Sequence, residues 1–217
     1  MEPVEATPAI PLWINGHAYL TVAAEFYEVR DPLSGEVLRR TPLCGAGVAQ
    51  HAVATARAAA APWAAQTPGA RAALLGALAD ALSGYAEHFV ALLAEETGAP
   101  ASAAAEVAQT VSLLRGGFDP LPAETVGEDG AQNAAPVVAI VGGASAPLYG
   151  ALRLAVPALL AGAAVVVKPN PATPSALYAL AELTARCRFP GGVFSVLHGG
   201  EAAIEGLRGA GVTMLSE

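Results

Sequence analysis

The sequence predicts an α/β fold built on a parallel sheet of about four strands with flanking helices. A short β-branched run, Val137 to Val141, is followed by a helix-length segment and then by a second apolar run, Val165 to Val167. Continuous apolar runs bounded by turn residues are typical of strands buried on both faces. Two such runs joined by a helix form a parallel pair with a right-handed crossover.

Turn residues mark both ends of the connecting helix. Pro147 is compatible with a first helical turn, and Gly162 with the left-handed position after a helix. Beyond Pro174 the same alternation predicts helices over 175–186 and 202–208. The parallel strands are predicted at 136–141, 163–167, 193–197 and 212–215.

The first half of the chain predicts short strands followed by helices. After a strand at 12–16, the runs 26–30 and 36–40 are joined by Asp31-Pro32-Leu33-Ser34-Gly35, which has turn chemistry at every position. Apolar residues spaced i, i+3, i+4 then predict helices at 48–60, 71–82, 85–96 and 101–115. Glu95 and Glu96 are adjacent and point to different sides of their helix, so we expect a solvated helix end rather than a catalytic pair. We predict one domain over 1–217, with the hairpin and helices in 12–115 and the βα units in 136–217.

Composition excludes several classes of function. The net charge is −8 with 11 Lys and Arg residues spread along the chain, which argues against a nucleic-acid partner. Proline and glycine interrupt the uncharged stretch from 134 to 152, so a membrane helix is not predicted. Two cysteines and an acidic, proline-rich start without a signal-peptide pattern indicate a cytoplasmic protein.

The stretch from 136 to 174 resembles the aldehyde dehydrogenase superfamily. In that family a strand leads into a P-W-N-F-P-like turn, a helix with an internal proline, and A-x-G-N-x-V-x-K-P-x-x-x-T-P. Ten residues match in register: Pro147, Pro157, Ala161, Gly162, Val165, Val167, Lys168, Pro169, Thr173 and Pro174. Ile14-Asn15-Gly16 and the 31–36 turn resemble the family's opening, and 96–100 resembles its E-T-G-K-P segment with Ala99 in place of lysine. The resemblance implies a Rossmann-like cofactor domain and covers only the N-terminal half of the family's pattern.

The resemblance also implies a cofactor site, with departures that weaken it. Lys168, followed by Pro169, would bond the adenosine ribose hydroxyls, while the alternative is a lysine that leaves a buried strand for solvent. Gly199 retains the first glycine of the family's G-x-G turn, but the second falls at Glu201. A carboxylate that often shares the ribose falls at Pro171. We therefore expect no NAD(P) binding, or only weak binding.

The part of the family's pattern that this sequence matches does not include the family's nucleophile and general base. The family's oxyanion asparagine aligns with Ser145, for which a polar turn residue is the favoured interpretation, and its nucleophilic cysteine and glutamate base fall beyond residue 217. Cys44 and Cys187 lack the family's cysteine context. The four histidines, at 17, 51, 88 and 198, lack metal-ligand spacing, so no metal site is predicted.

Two functions remain open for the chain. One is a catalytically inactive structural or interaction module, and the other is the N-terminal part of an NAD(P)-dependent aldehyde dehydrogenase completed by a second chain. The stretch 116–135 is shorter than the family's oligomerisation arm.

We expect a sheet edge without its usual neighbour and uncovered apolar surface around 146–149 and Phe194. Both favour a homo-oligomer or a complex with another aldehyde dehydrogenase chain.

Overall fold

The computed structural model describes residues 8–117 and 137–217. Its main sheet has six strands in the order β2-β1-β7-β6-β5-β8. The parallel part is formed by the four strands that the sequence predicts, and their bounds are β5 Val137–Val141, β6 Ala164–Lys168, β7 Phe194–Val196 and β8 Thr213–Ser216. The predicted fold class is therefore confirmed.

The sheet is larger than predicted because the N-terminus adds to it. β1 (Leu12–Ile14) and β2 (His17–Tyr19) form a hairpin around Asn15 and Gly16, both with positive φ, and β1 pairs antiparallel with β7. The sequence pattern missed β2 because His17–Tyr19 is short and mixed in polarity. The predicted hairpin is present separately as β3 (Phe26–Arg30) and β4 (Val37–Pro42).

Seven helices pack around the main sheet in the described residues. Their bounds are α1 Ala46–Ala64, α2 Pro68–Gly84, α3 Ala86–Thr97, α4 Pro100–Leu114, α5 Tyr149–Ala161, α6 Ser175–Arg186 and α7 Glu201–Gly209. α5 begins at Tyr149 rather than at Pro147, which lies in the preceding turn. The other predicted helices are present, with ends that differ by up to four residues.

Two apolar clusters form the core. The larger one packs α2 to α6 against the sheet and includes Trp63, whose indole N–H donates to Leu159 O at 3.0 Å. The smaller one packs α1 and α7 against the sheet. Residues 146–149 and Phe194 do not form the expected uncovered surface, because Pro147, Leu148 and Phe194 are buried under these helices. Most of the 116–135 stretch lies outside the described residues.

Candidate functional site

The carboxyl ends of the four parallel strands meet at one edge of the sheet. The loops that follow them start at Gly142, Pro169, Leu197 and Glu217. Ligands of open α/β sheets bind in a crevice at this edge. Lys168, Pro169 and Gly199, the three predicted cofactor-binding residues, all lie here, so the fold brings them together.

Lys168 is the last residue of β6 and is buried, with 4% of its surface exposed. Its Nζ donates to the carbonyl of the adjacent Pro169 at 3.2 Å. No ion pair between described residues includes this ammonium. Burial lowers the pKa of Lys168, and the nearby Glu201 carboxylate opposes that change. The alternative of a lysine entering solvent is therefore wrong.

The segment after Lys168 is a compact turn that leads into α6. Gly142 N donates to Lys168 O at 2.9 Å, and the Asn170 side chain accepts from Ala172 N at 2.9 Å. Pro171 is half-buried in this turn, where the family resemblance places a carboxylate. The hydroxyl of Thr173 is buried and has no hydrogen-bond partner in the part of the chain that the structure describes.

Gly199 and Glu201 form the neighbouring loop. Gly199 has φ +155, and a Cβ there would lie 2.6 Å from the Ala203 Cβ and 3.0 Å from Cys44 O, so the backbone approach requires glycine. Around Gly200 there is open space. Glu201 begins α7, and its exposed carboxylate pairs with Arg208 at 3.0 Å.

Two further carboxylates lie at the β5–α5 turn. Glu106, from α4, accepts from Leu148 N at 2.7 Å and Tyr149 N at 3.0 Å, so it caps α5. Glu217 accepts from Gly143 N at 2.6 Å. Burial raises the pKa of Glu106, its two backbone hydrogen bonds oppose the rise, and Glu217 adds to it. Ser145 lies in the same turn and is exposed.

Glu96 is not at a solvated helix end, so that prediction is wrong for this residue. It is 4% exposed, and its carboxylate accepts hydrogen bonds from Ser175 N at 3.1 Å and from the Ser175 hydroxyl. Glu96 therefore caps α6, which begins at Ser175. Arg39 lies 3.4 Å from it and pairs with the exposed Glu95 at 2.6 Å. Burial raises the pKa of Glu96 to about 7, although the two hydrogen bonds from Ser175 and the positive charge of Arg39 act to lower it.

Sequence reasoning missed both helix-capping carboxylates. Each glutamate lies on the buried face of its helix, Glu96 beside Leu92 and Leu93, and Glu106 beside Ala103 and Val107. A glutamate on an apolar stripe is rarely buried without a partner, and this pattern was the available signal. The capped residues lie 79 and 42 positions away, which the sequence does not indicate.

The two cysteines and His198 have the properties of structural residues. Burial raises the pKa of Cys44 to about 11, and burial with the charge of Asp80 raises that of Cys187, so neither thiol is an activated nucleophile. His198 is buried with Nε2 3.1 Å from Pro11 O, and burial lowers its pKa to about 4. Between residues 8 and 117 and between 137 and 217, no cluster of three metal-ligating side chains occurs. None of the helices in these two ranges combines the length and the hydropathy that a membrane span requires.

The parallel strands, with helices packed against them in two apolar clusters, define an α/β protein. The aldehyde dehydrogenase family model matches residues 19–210, and the chain belongs to that family. It is 31% identical over 212 residues to the N-succinylglutamate 5-semialdehyde dehydrogenase of Chromohalobacter salexigens, covering 91% of this chain and 41% of that protein. It is 30% identical over 204 residues to the 3-sulfolactaldehyde dehydrogenase of Pseudomonas putida, covering 89% and 41%.

A solved structure shares the fold. The putative methylmalonate-semialdehyde dehydrogenase of Sinorhizobium meliloti, complexed with NAD, superposes with a TM-score of 0.80 at 20% identity, over 93% of this chain and 43% of that one. The present chain thus spans about 40% of the length of these curated relatives.

Proposed function

We propose that residues 1–217 form a catalytically inactive aldehyde-dehydrogenase-type module that acts by binding another polypeptide in the cytoplasm. The state of the two thiols carries this proposal. Aldehyde oxidation by this family needs a thiolate, and the raised pKa values of Cys44 and Cys187 keep both thiols protonated at neutral pH. Ser145 offers an exposed hydroxyl in place of the family's asparagine.

An activity assay tests the inactive state. The chain is incubated with short aliphatic and aromatic aldehydes and with NAD or NADP, beside a full-length family member as positive control. We expect no reduction of either cofactor above the background of the buffer. Turnover that disappears in Cys44→Ala or in Cys187→Ala would contradict the proposal and identify the nucleophile.

The proposed partner is a second copy of this chain or another aldehyde dehydrogenase chain. Two exposed features support it. β8 has β5 as its single strand neighbour in the described sheet, which leaves one edge of β8 open. Leu20, Val22 and Phe26, at 84%, 102% and 45% exposure, lie close together in the sequence. Light scattering at tens of micromolar should give a mass above that of one chain, and a monomer that captures no aldehyde dehydrogenase would contradict this part.

The environment of Lys168 favours a second candidate, the cofactor-binding part of an NAD(P)-dependent aldehyde dehydrogenase. A buried ammonium without an ion partner is unfavourable unless a ligand completes its hydrogen bonds. An ammonium has three donors, and one is used by Pro169 in the described structure. The chemistry of Lys168 therefore fits the hydroxyls of a ribose.

Affinity for NAD separates the two candidates. With Pro171 in place of a carboxylate, and with Glu201 and Glu217 at the carboxyl edge of the sheet, we expect a dissociation constant no tighter than about a millimolar, or about 4 kcal/mol of binding free energy. Calorimetric titration should give that result. A micromolar constant that Lys168→Ala removes would favour the second candidate over the inactive module.

A further inference from the structure

The Glu217 side chain connects the ends of two neighbouring strands at the carboxyl edge of the sheet. Its carboxylate accepts a hydrogen bond from Gly143 N at 2.6 Å, and Glu217 N donates to Val141 O at 3.4 Å. Glu217 follows β8, whereas Gly143 belongs to the turn between β5 and α5. The side chain therefore lies across the turn that leads from β5 into α5.

Two glycines leave the room that the Glu217 carboxylate occupies, and we call this room the glycine hollow. A Cβ on Gly150 would lie 1.2 Å from Glu217 Oε1 and 2.2 Å from its Cδ. A Cβ on Gly143 would lie 3.1 Å from Glu217 Oε2 and 3.2 Å from its Cβ. Gly150 is buried in the first turn of α5 and Glu217 is exposed, so the carboxylate is the part that can move.

The neighbouring Glu106 carboxylate has a different role. Glu106 is buried and accepts from the N–H groups of Leu148 and Tyr149, so it caps α5. Glu217 is exposed and accepts from one N–H, which lies in the turn before α5. Removing the Glu217 carboxylate therefore vacates the glycine hollow and leaves the cap of α5 in place.

The glycine hollow lies one strand away from Lys168. Val141, at the end of β5, pairs with Lys168 on one side and with Ser216 on the other, and Gly142 N donates to Lys168 O at 2.9 Å. Because neighbouring strands are about 4.8 Å apart, the ends of β6 and β8 are separated by about 10 Å. A dinucleotide that is bound at Lys168 and extends over β5 would meet the Glu217 carboxylate, and its phosphates would meet a charge of their own sign.

We propose that Glu217 is an autoinhibitory residue, whose carboxylate fills the glycine hollow and so weakens the binding of a dinucleotide along the carboxyl edge of the sheet. The proposal rests on the second candidate function, nucleotide binding at Lys168, and adds a residue that regulates it. The ligand must displace the carboxylate, so its apparent dissociation constant is divided by the fraction of molecules in which the hollow is empty. We expect a factor of about ten, the size of one hydrogen bond to a charged group.

The amide signal of Gly143 tests the contact itself, without any ligand. Amide spectra are recorded by NMR on the full 217-residue chain and its variants. We expect the proton signal of Gly143 to move upfield in Glu217→Ala, which removes the acceptor, and in Gly150→Ala, whose Cβ displaces it. Glu205→Ala is the matched control, because it removes an exposed carboxylate from α7, and it should leave the signal unchanged. A signal that Glu217→Ala does not move would overturn the proposal.

The affinity for NAD tests the autoinhibition. NAD is titrated into the same four chains and followed by ligand-observed NMR, which detects millimolar constants. Glu217→Ala and Gly150→Ala should each bind NAD about tenfold more tightly than the unaltered chain and Glu205→Ala. Gly150→Ala keeps the charge of Glu217, so tightening in both variants assigns the effect to the occupied hollow. Tightening in Glu217→Ala alone would overturn the proposal, because the charge would then act without filling the hollow.

The outcomes separate this inference from the function on which it rests. Equal NAD constants in all four chains would overturn the autoinhibition while nucleotide binding stands. Failure of NAD to bind any of them at tens of millimolar would refute nucleotide binding and the autoinhibition together. Thermal unfolding of each variant checks that a changed constant does not come from misfolding.

Discussion

Glu96 and Lys168 are buried to the same extent, but they differ in the number of their hydrogen-bond and ion-pair partners. Each is 4% exposed. Glu96 accepts two hydrogen bonds from Ser175 and lies 3.4 Å from Arg39, so it joins α3, α6 and β4. Lys168 has one hydrogen bond, to its neighbour Pro169, and no ion pair within the described ranges.

The difference separates a buried group that is held by its partners in the fold from one that is available to a ligand. Removing one partner of a satisfied buried pair leaves the other groups without hydrogen bonds, which is strongly destabilising. Removing a buried charge that has no partner relieves a desolvation cost. Although the two residues are equally buried, we therefore expect substitution of Glu96 to lower the free energy of unfolding, and substitution of Lys168 to leave it unchanged or raise it.

The largest expected effect is at Glu96. Glu96→Ala leaves the amide and hydroxyl of Ser175 unsatisfied in the core, and we expect a loss of about 3 kcal/mol in the free energy of unfolding. Urea denaturation near pH 6 measures it. Glu95→Ala is the control, since it removes the exposed partner of Arg39 and should cost less than about 1 kcal/mol. Equal losses in the two variants would show that burial does not distinguish these glutamates.

The contribution of Glu96 should also depend on pH. Its pKa is about 7 in the folded protein and 4.5 in the unfolded chain, because burial disfavours the carboxylate. Between these two pKa values the folded protein binds more protons at Glu96 than the unfolded chain does. The contribution of Glu96 to the free energy of unfolding is therefore greatest at low pH, and it falls by about 2 kcal/mol as the pH rises from about 5 to about 8. The cost of Glu96→Ala should therefore be smaller at pH 8 than at pH 5. A cost that grows with pH would mean that Glu96 is ionised in the fold.

Much of the fold was predictable because its signals are local. The apolar runs of β5 and β6 and the stop at Gly162 are read within a few residues, and so is the turn at Asp31, whose carboxylate accepts from Leu33 N and Ser34 N. The burial of Glu96 was not predictable, since its partner Ser175 lies 79 residues further along the chain. Lys168 is intermediate: its place at the end of a strand predicted a cofactor-binding position, but only packing shows that it forms no ion pair with another described residue.

The stability of Lys168→Met tests the central distinction most directly. Methionine keeps the length and apolar stem of lysine while removing the charge. We predict that the variant is as stable as the unaltered chain or more stable by up to about 1 kcal/mol in urea denaturation without ligand. A loss of more than about 1 kcal/mol would contradict the account, because it would show that the Lys168 ammonium holds the fold together as Glu96 does.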